Sequence, residues 1–93
     1  MGKEVRLFKT EERKTRAEVA DFLRLLADKL SNGEVLLKSG NEEINLSIAP
    51  NVILEIQVED EDKKNKGIQH SLEVEIKWYD GDDGGAAAGI ELG

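Results

Sequence analysis

The second half of the chain alternates between apolar and polar residues over two long stretches. In residues 52–59 and 68–79 the even-numbered positions are almost all apolar, whereas most odd-numbered positions carry Glu, Gln, Ser or Lys. Alternation with a period of two is typical of a β-strand that buries one face. Shorter patterns predict strands at residues 34–38 and 43–48, and a weakly alternating one at 4–11. Up to five strands are therefore expected.

A pattern with the period of an α-helix lies between the weakly alternating residues 4–11 and the strand predicted at 34–38. Thr15 and Glu18 have the spacing of a capping box, in which each side chain accepts a hydrogen bond from a backbone amide of the other. Asn32 and Gly33 suit a left-handed helix end. The apolar positions between them recur three and four residues apart: Val19, Phe22, Leu23, Leu26 and Leu30. This stretch predicts one amphipathic helix.

One helix and several one-faced strands predict an α+β fold. We expect a two-layer sandwich, with one amphipathic helix packed on a four- to five-stranded, mainly antiparallel sheet. Residues 60–67, which are rich in charge, are expected to form a loop. Residues 1–79 are predicted to be the single domain, and residues 80–93 a flexible acidic tail rich in Gly and Ala.

Charge and composition exclude several functions. The 93 residues include 20 Asp and Glu against 13 Lys and Arg, a formal charge of −7, which disfavours binding to nucleic acid. The chain has no Cys and one His, so it offers neither disulfides nor thiolate ligands for a metal. No apolar stretch is long enough to span a bilayer, and no signal peptide is recognisable. A soluble, cytoplasmic protein without membrane contact is expected.

A capped helix followed by strands of hydrophobic–acidic alternation resembles the amphi-Trp domain family of small prokaryotic proteins. The last strand carries much of this resemblance because it ends on tryptophan: Leu72-Glu73-Val74-Glu75-Ile76-Lys77-Trp78. The resemblance covers residues 3–79. It implies a fold unit and no catalytic residues.

The outward face of the two long strands is the predicted interaction face. Its members are mostly carboxylates that alternation places on one side: Glu55, Glu59, Glu73, Glu75 and Lys77. Facing carboxylates could bind a divalent cation, but a flat sheet face has no cleft, and a solvated acidic surface is the simpler interpretation. We therefore predict no enzyme, no catalytic residue, no cofactor and no metal site.

The favoured function is a non-enzymatic protein-interaction module that uses an edge strand or the acidic sheet face. The alternative is a self-associating structural protein, a homodimer, because one helix covers a sheet of this size thinly. Divalent-cation binding is a remote third function.

Three further features have a simple structural interpretation. His70 is expected at the rim of the inward face, with no nucleophile to serve. Trp78 is expected to anchor the edge of the core, the alternative being an exposed platform for a ligand.

Four tail residues match EF-hand positions 1, 3, 6 and 12, but Gly84 and Ala88 stand at positions 5 and 9. The matching residues are Asp80, Asp82, Gly85 and Glu91.

Overall fold

The computed structural model describes residues 2–81. In chain order its elements are α1 (Arg16–Asn32), β1 (Glu34–Ser39), β2 (Glu42–Ser47), β3 (Ile53–Asp62), a 3₁₀ turn (Lys64–Lys66) and β4 (Ile68–Lys77). They divide into two compact units, with the boundary between Ile48 and Ala49. The first unit holds α1, β1 and β2, and the second holds β3 and β4. The expected mixture of helix and strand is confirmed.

Helix α1 begins and ends where its sequence predicts. The Thr15 amide donates to Glu18 Oε1 at 2.9 Å, and the Glu18 amide donates to Thr15 Oγ1 at 3.1 Å, which completes the capping box. These hydrogen bonds from Thr15 lower the pKa of Glu18. Gly33 ends the helix at φ 82°, and its amide donates to the Leu30 carbonyl at 3.0 Å. The left-handed backbone there favours glycine.

Strands β1 and β2 form an antiparallel hairpin beside the helix. Gly40 and Asn41 connect them, and the positive φ of Gly40 (60°) at the first central position is that of a type II′ turn. The register pairs Val35 with Leu46, and Leu37 with Ile44, so their side chains share one face. Strand β1 contacts α1, and Val35, with 3% of its surface exposed, is the one fully buried residue among residues 2–81.

Strands β3 and β4 form a longer antiparallel hairpin. Ten pairs run from Ile53 opposite Lys77 to Asp62 opposite Ile68. The turn is closed by the Lys63 amide, which donates to the Gly67 carbonyl at 2.8 Å, and Asp62 accepts a hydrogen bond from the Lys64 amide. Because opposed residues share a face in an antiparallel pair, the hairpin has one apolar and one polar face.

The prediction of a helix packed on one four- to five-stranded sheet is wrong. The described strands form two separate two-stranded sheets, β1–β2 and β3–β4. Alternation shows which side chains share a face of a strand. Strand pairing, however, is made by main-chain hydrogen bonds, so the pattern does not identify the neighbour. Both observed pairs join strands that follow one another in the chain, across short connections of two and five residues, so little loop-closure entropy is lost.

The prediction of a weak strand at residues 4–11 is also wrong, because these residues contain neither helix nor strand. Its apolar residues Val5 and Leu7 are largely exposed and lack the burial that would hold a strand in place.

The predicted loop at residues 60–67 is too long, since β3 continues to Asp62 and β4 begins at Ile68. The tail prediction for residues 80–93 lies largely outside the described residues. No helix in the described part of the chain combines the length and the apolar character needed to cross a membrane.

Candidate functional site

The structure brings all five predicted interaction residues to one face of the β3–β4 hairpin. The register sets Glu55 opposite Glu75, Gln57 opposite Glu73, and Glu59 opposite Ser71. Glu61 also lies on this face, so the two strands present five carboxylates and one ammonium group, that of Lys77, while Lys63 reaches Glu61 from the turn at 3.4 Å. We call it the acidic face, and its charged members are Glu55, Glu59, Glu61, Glu73, Glu75 and Lys77.

One ion pair partly neutralises the acidic face near the end of β4. Lys77 Nζ donates to Glu55 Oε1 at 2.8 Å, diagonally across the two strands. This hydrogen bond, and then the attraction between the two charges, lowers the pKa of Glu55 and raises the pKa of Lys77. Both side chains are nearly half exposed, so solvent screens the pair and limits its stabilising effect.

The direction of both pKa shifts determines the pH range in which this pair stabilises the fold. The lowered pKa of Glu55 contributes stability above its ordinary value of 4.5, which is lost as the pH falls through the folded-state pKa. The raised pKa of Lys77 contributes below its ordinary value of 10.5, and is lost as the pH rises through the folded-state pKa. The pair therefore acts throughout the neutral range.

Lys77→Met is expected to raise the pKa of Glu55 towards its ordinary value, because the substitution removes both the hydrogen bond and the positive charge. Carbon-13 NMR of the Glu carboxylates during an acid titration measures this shift. Lys63→Met is the matched control, since Lys63 pairs with Glu61 at 3.4 Å and not with Glu55. An unchanged Glu55 titration in Lys77→Met would contradict the observed pair.

The centre of the acidic face retains unneutralised charge. Within residues 2–81 the Glu73 side chain makes no ion pair or hydrogen bond, and Glu75 lies opposite Glu55, a carboxylate like itself. Glu59 accepts a hydrogen bond from Gln57 Nε2, which is a neutral donor. Like charges directly opposite each other on paired strands are destabilising. A cationic group that binds here would relieve this repulsion.

Both strands of the hairpin have a free edge beside the acidic face. Among the described strands, β3 pairs only with β4, and β1 only with β2. Each strand of a two-stranded sheet leaves one row of backbone amides and carbonyls unpaired, to which a further strand can add. The hairpin therefore combines unpaired hydrogen-bonding edges with a charged face.

The opposite face of the hairpin is a row of exposed apolar side chains that the sequence predicted to be covered. The register pairs its members as Leu54 with Ile76, Ile56 with Val74, and Val58 with Leu72. We call these six residues the apolar ladder. Five of them are 54–71% exposed. Alternation identified their common face correctly, but a pattern within one chain does not show what covers that face.

His70 lies at the end of the apolar ladder that is nearest the turn. Its Nδ1 is 2.6 Å from Asp60 Oδ1, the residue opposite it in the register, and both side chains are mostly exposed. The rim position expected for His70 agrees with this exposure. The sequence does not predict Asp60 as its partner, because the charge of residues 60–67 is typical of a loop.

Trp78 lies just beyond β4 and is half-buried. It lines a shallow cavity of about 400 Å³ at the open end of the hairpin, together with Ile53, Ile76, Lys77 and Tyr79. The structure therefore places Trp78 between the two interpretations made from the sequence, since its side chain is neither buried nor fully exposed.

The described residues include no group of three or more His, Asp or Glu side chains placed to hold a metal ion. The EF-hand-like spacing in the tail falls mainly in residues 82–91, outside the described part of the chain.

Comparison with known proteins identifies a family. A sequence model of the Amphi-Trp domain matches residues 1–93, a longer range than the residues 3–79 on which the resemblance was based. No curated protein and no solved structure is significantly similar to the chain.

Proposed function

The chain belongs to the Amphi-Trp domain family, and from its structure we propose that it is a small non-enzymatic module that binds another protein. The β3–β4 hairpin is the proposed binding element. The observation that carries the proposal is the combination of a free strand edge with an adjacent acidic face. A chain without Cys requires no disulfide, which suits a cytoplasmic setting.

The partner that fits this hairpin is an extended segment containing Lys or Arg. An added strand forms main-chain hydrogen bonds with the free edge, and its alternate side chains project over the two faces of the hairpin. Basic side chains at alternate positions would lie beside Glu73 and Glu75, whose charges are not balanced by Lys77 alone. Charge of this kind contributes mainly to specificity and to the rate of association.

An exposed face suits binding better than catalysis. A catalytic carboxylate needs a site that excludes water and holds it against the reacting group. The side chains of Glu55 and Lys77, by contrast, are more than two-fifths exposed, and Glu73 and Glu75 lie on an open strand surface.

Reversing the charges of Glu73 and Glu75 is expected to abolish most of this binding. The probe is a short fluorescent peptide that alternates Lys with Val, measured by anisotropy against the wild-type chain. We expect Glu73→Lys combined with Glu75→Lys to weaken binding by about tenfold or more, because attraction becomes repulsion. A peptide that alternates Glu with Val should not bind the wild-type chain.

The matched control reverses the charges of Glu42 and Glu43, two exposed residues of the other hairpin. It makes the same change in total charge and should retain binding of the Lys–Val peptide. Equal affinity of all three chains would contradict the proposal, as would equal binding of the Glu–Val peptide. Circular dichroism of each variant shows that the fold is intact.

A further inference from the structure

We propose that the partner segment adds as a strand to the free edge of β4, and that it carries two Lys or Arg residues separated by one apolar residue. The proposal rests on the binding function proposed above and goes further, because it selects one strand edge among those that the two hairpins leave unpaired. Three features of the β3–β4 hairpin support it. They are the phase of its hydrogen bonds, the distribution of its ion pairs and the exposure of its strands.

The hydrogen bond that closes the turn shows which backbone groups of β4 point outward. The Lys63 amide donates to the Gly67 carbonyl, so these opposed residues form a hydrogen-bonded pair, and the pairs beyond it keep one register along the whole hairpin. Hydrogen-bonded and non-hydrogen-bonded pairs alternate along an antiparallel ladder. The odd-numbered residues of β3 and β4 therefore bond to each other, and the even-numbered residues direct their amides and carbonyls to the free edges. On β4 the outward-directed residues include Leu72, Val74 and Ile76.

This phase determines how the side chains of an added strand are arranged. An antiparallel strand that bonds to Leu72, Val74 and Ile76 forms non-hydrogen-bonded pairs opposite Glu73 and Glu75, with Cα atoms about 4.5 Å apart. Side chains come closest in such pairs, and opposite charges placed directly across from each other stabilise the pairing. The segment that fits therefore has Lys or Arg opposite Glu73 and Glu75, and an apolar residue between them beside Val74.

Ion pairs and hydrogen bonds distinguish the edge of β4 from the edge of β3. Each of the three carboxylates that β3 places on the acidic face already has a polar partner. The pairs are Glu55 with Lys77, Glu59 with Gln57, and Glu61 with Lys63. Within residues 2–81, neither Glu73 nor Glu75 of β4 forms an ion pair. An incoming cation would compete with existing partners on β3, but it would displace none on β4.

The exposure of the two strands favours the same edge. At the middle of β4, Glu73, Val74 and Glu75 are exposed, whereas Glu55 and Gln57 of β3 are half-buried. An added strand must bring its own side chains beside these residues on both faces of the sheet. The more open strand therefore accepts a neighbour with less rearrangement.

The described strands of the other hairpin do not offer an equivalent edge. Glu42 and Glu43 of β2 are adjacent in sequence, so their side chains point to opposite faces. Strand β1 contacts α1, and its one carboxylate, Glu34, accepts a hydrogen bond from Ser47 Oγ at 2.8 Å. Two carboxylates on one face that lack an ion pair thus distinguish β4 from the other described strands.

Proline at residue 74 tests the edge directly. Val74→Pro removes an outward amide and places a ring on the free edge of β4, but it breaks no hydrogen bond to β3. Ile56→Pro is the matched control, because residue 56 lies opposite residue 74 and the substitution makes the same change at the edge of β3. We expect Val74→Pro to bind the fluorescent Lys–Val peptide about tenfold more weakly than the wild type, and Ile56→Pro to bind it as the wild type does. Equal binding by the two variants, or weaker binding by Ile56→Pro, would overturn the choice of edge.

Amide hydrogen exchange of the wild-type chain, measured by NMR with and without the peptide, keeps the proposal testable if a proline variant fails to fold. At saturation the outward amides of Leu72 and Val74 should exchange about tenfold more slowly, while those of Leu54 and Ile56 should not change. Protection that is equal at the two edges, or absent from β4 when the peptide is bound, would overturn the choice of the β4 edge and leave the binding function standing. A wild-type chain that does not bind the peptide would instead contradict the binding function itself.

Discussion

Val35→Asp is expected to destabilise the unit formed by α1, β1 and β2 by more than about 3 kcal/mol, enough to abolish most of its helical signal. Val35 is 3% exposed and lies in β1, the strand that contacts α1. An ionised carboxylate at this position would lose its hydration without gaining a partner, because Val35 shares one face of the hairpin with the apolar residues Leu37, Ile44 and Leu46.

Circular dichroism during urea titration measures this effect. Val35→Ala separates the loss of packing from the burial of charge, and should cost about 2 kcal/mol, since it removes two buried methyl groups. Leu36→Asp is the matched control, because Leu36 is next in sequence but points to the other face and is 49% exposed. If Val35→Asp and Leu36→Asp were equally stable, Val35 would not be the centre of this unit.

Gly33→Val is expected to destabilise the same unit by about 1–2 kcal/mol, because a β-branched residue strongly disfavours positive φ. Gly33 has φ 82°, and it both ends α1 and accepts a hydrogen bond from the Ile48 amide at 2.8 Å. A Cβ at this position would lie 3.8 Å from the Ile48 carbonyl oxygen, an ordinary contact. The cost therefore comes from the backbone and not from a clash.

The graded variant Gly33→Asn distinguishes this explanation from a general intolerance of side chains. Asn adopts the left-handed conformation more readily than Val, so it should lose clearly less stability in the same urea titration. Gly2→Val is the control, because Gly2 lacks a positive φ and has open space around it. Equal losses for Asn and Val at residue 33 would refute a backbone origin.

Features that depend on a few neighbouring residues could be predicted from the sequence. Thr15, Glu18 and Gly33 define the ends of α1 through bonds that span three residues, so a local pattern contains the needed information. The same holds for the two faces of β3 and β4, where a period of two assigns Glu73 and Val74 to opposite sides.

Features that depend on distant contacts were not predictable in this way. The charged residues 60–62 resemble a loop, yet β3 continues through them because Asp60 lies opposite His70 and Asp62 stabilises the turn. Val5 and Leu7 are apolar but do not form a strand, since neither is buried. A strand is stable only where another element covers its face or pairs with its edge. The alternation within one segment shows neither the covering element nor the pairing strand.

The pairing of strands with their nearest neighbours in sequence has a consequence for the speed of folding. β1 pairs with β2 across a two-residue turn, and β3 with β4 across a five-residue connection, so the described strand pairs have short sequence separations. Proteins rich in such local contacts have low contact order and fold within microseconds to milliseconds, because little loop entropy is lost before the first contacts form. Each hairpin can therefore form outward from its own turn, independently of when the other hairpin forms.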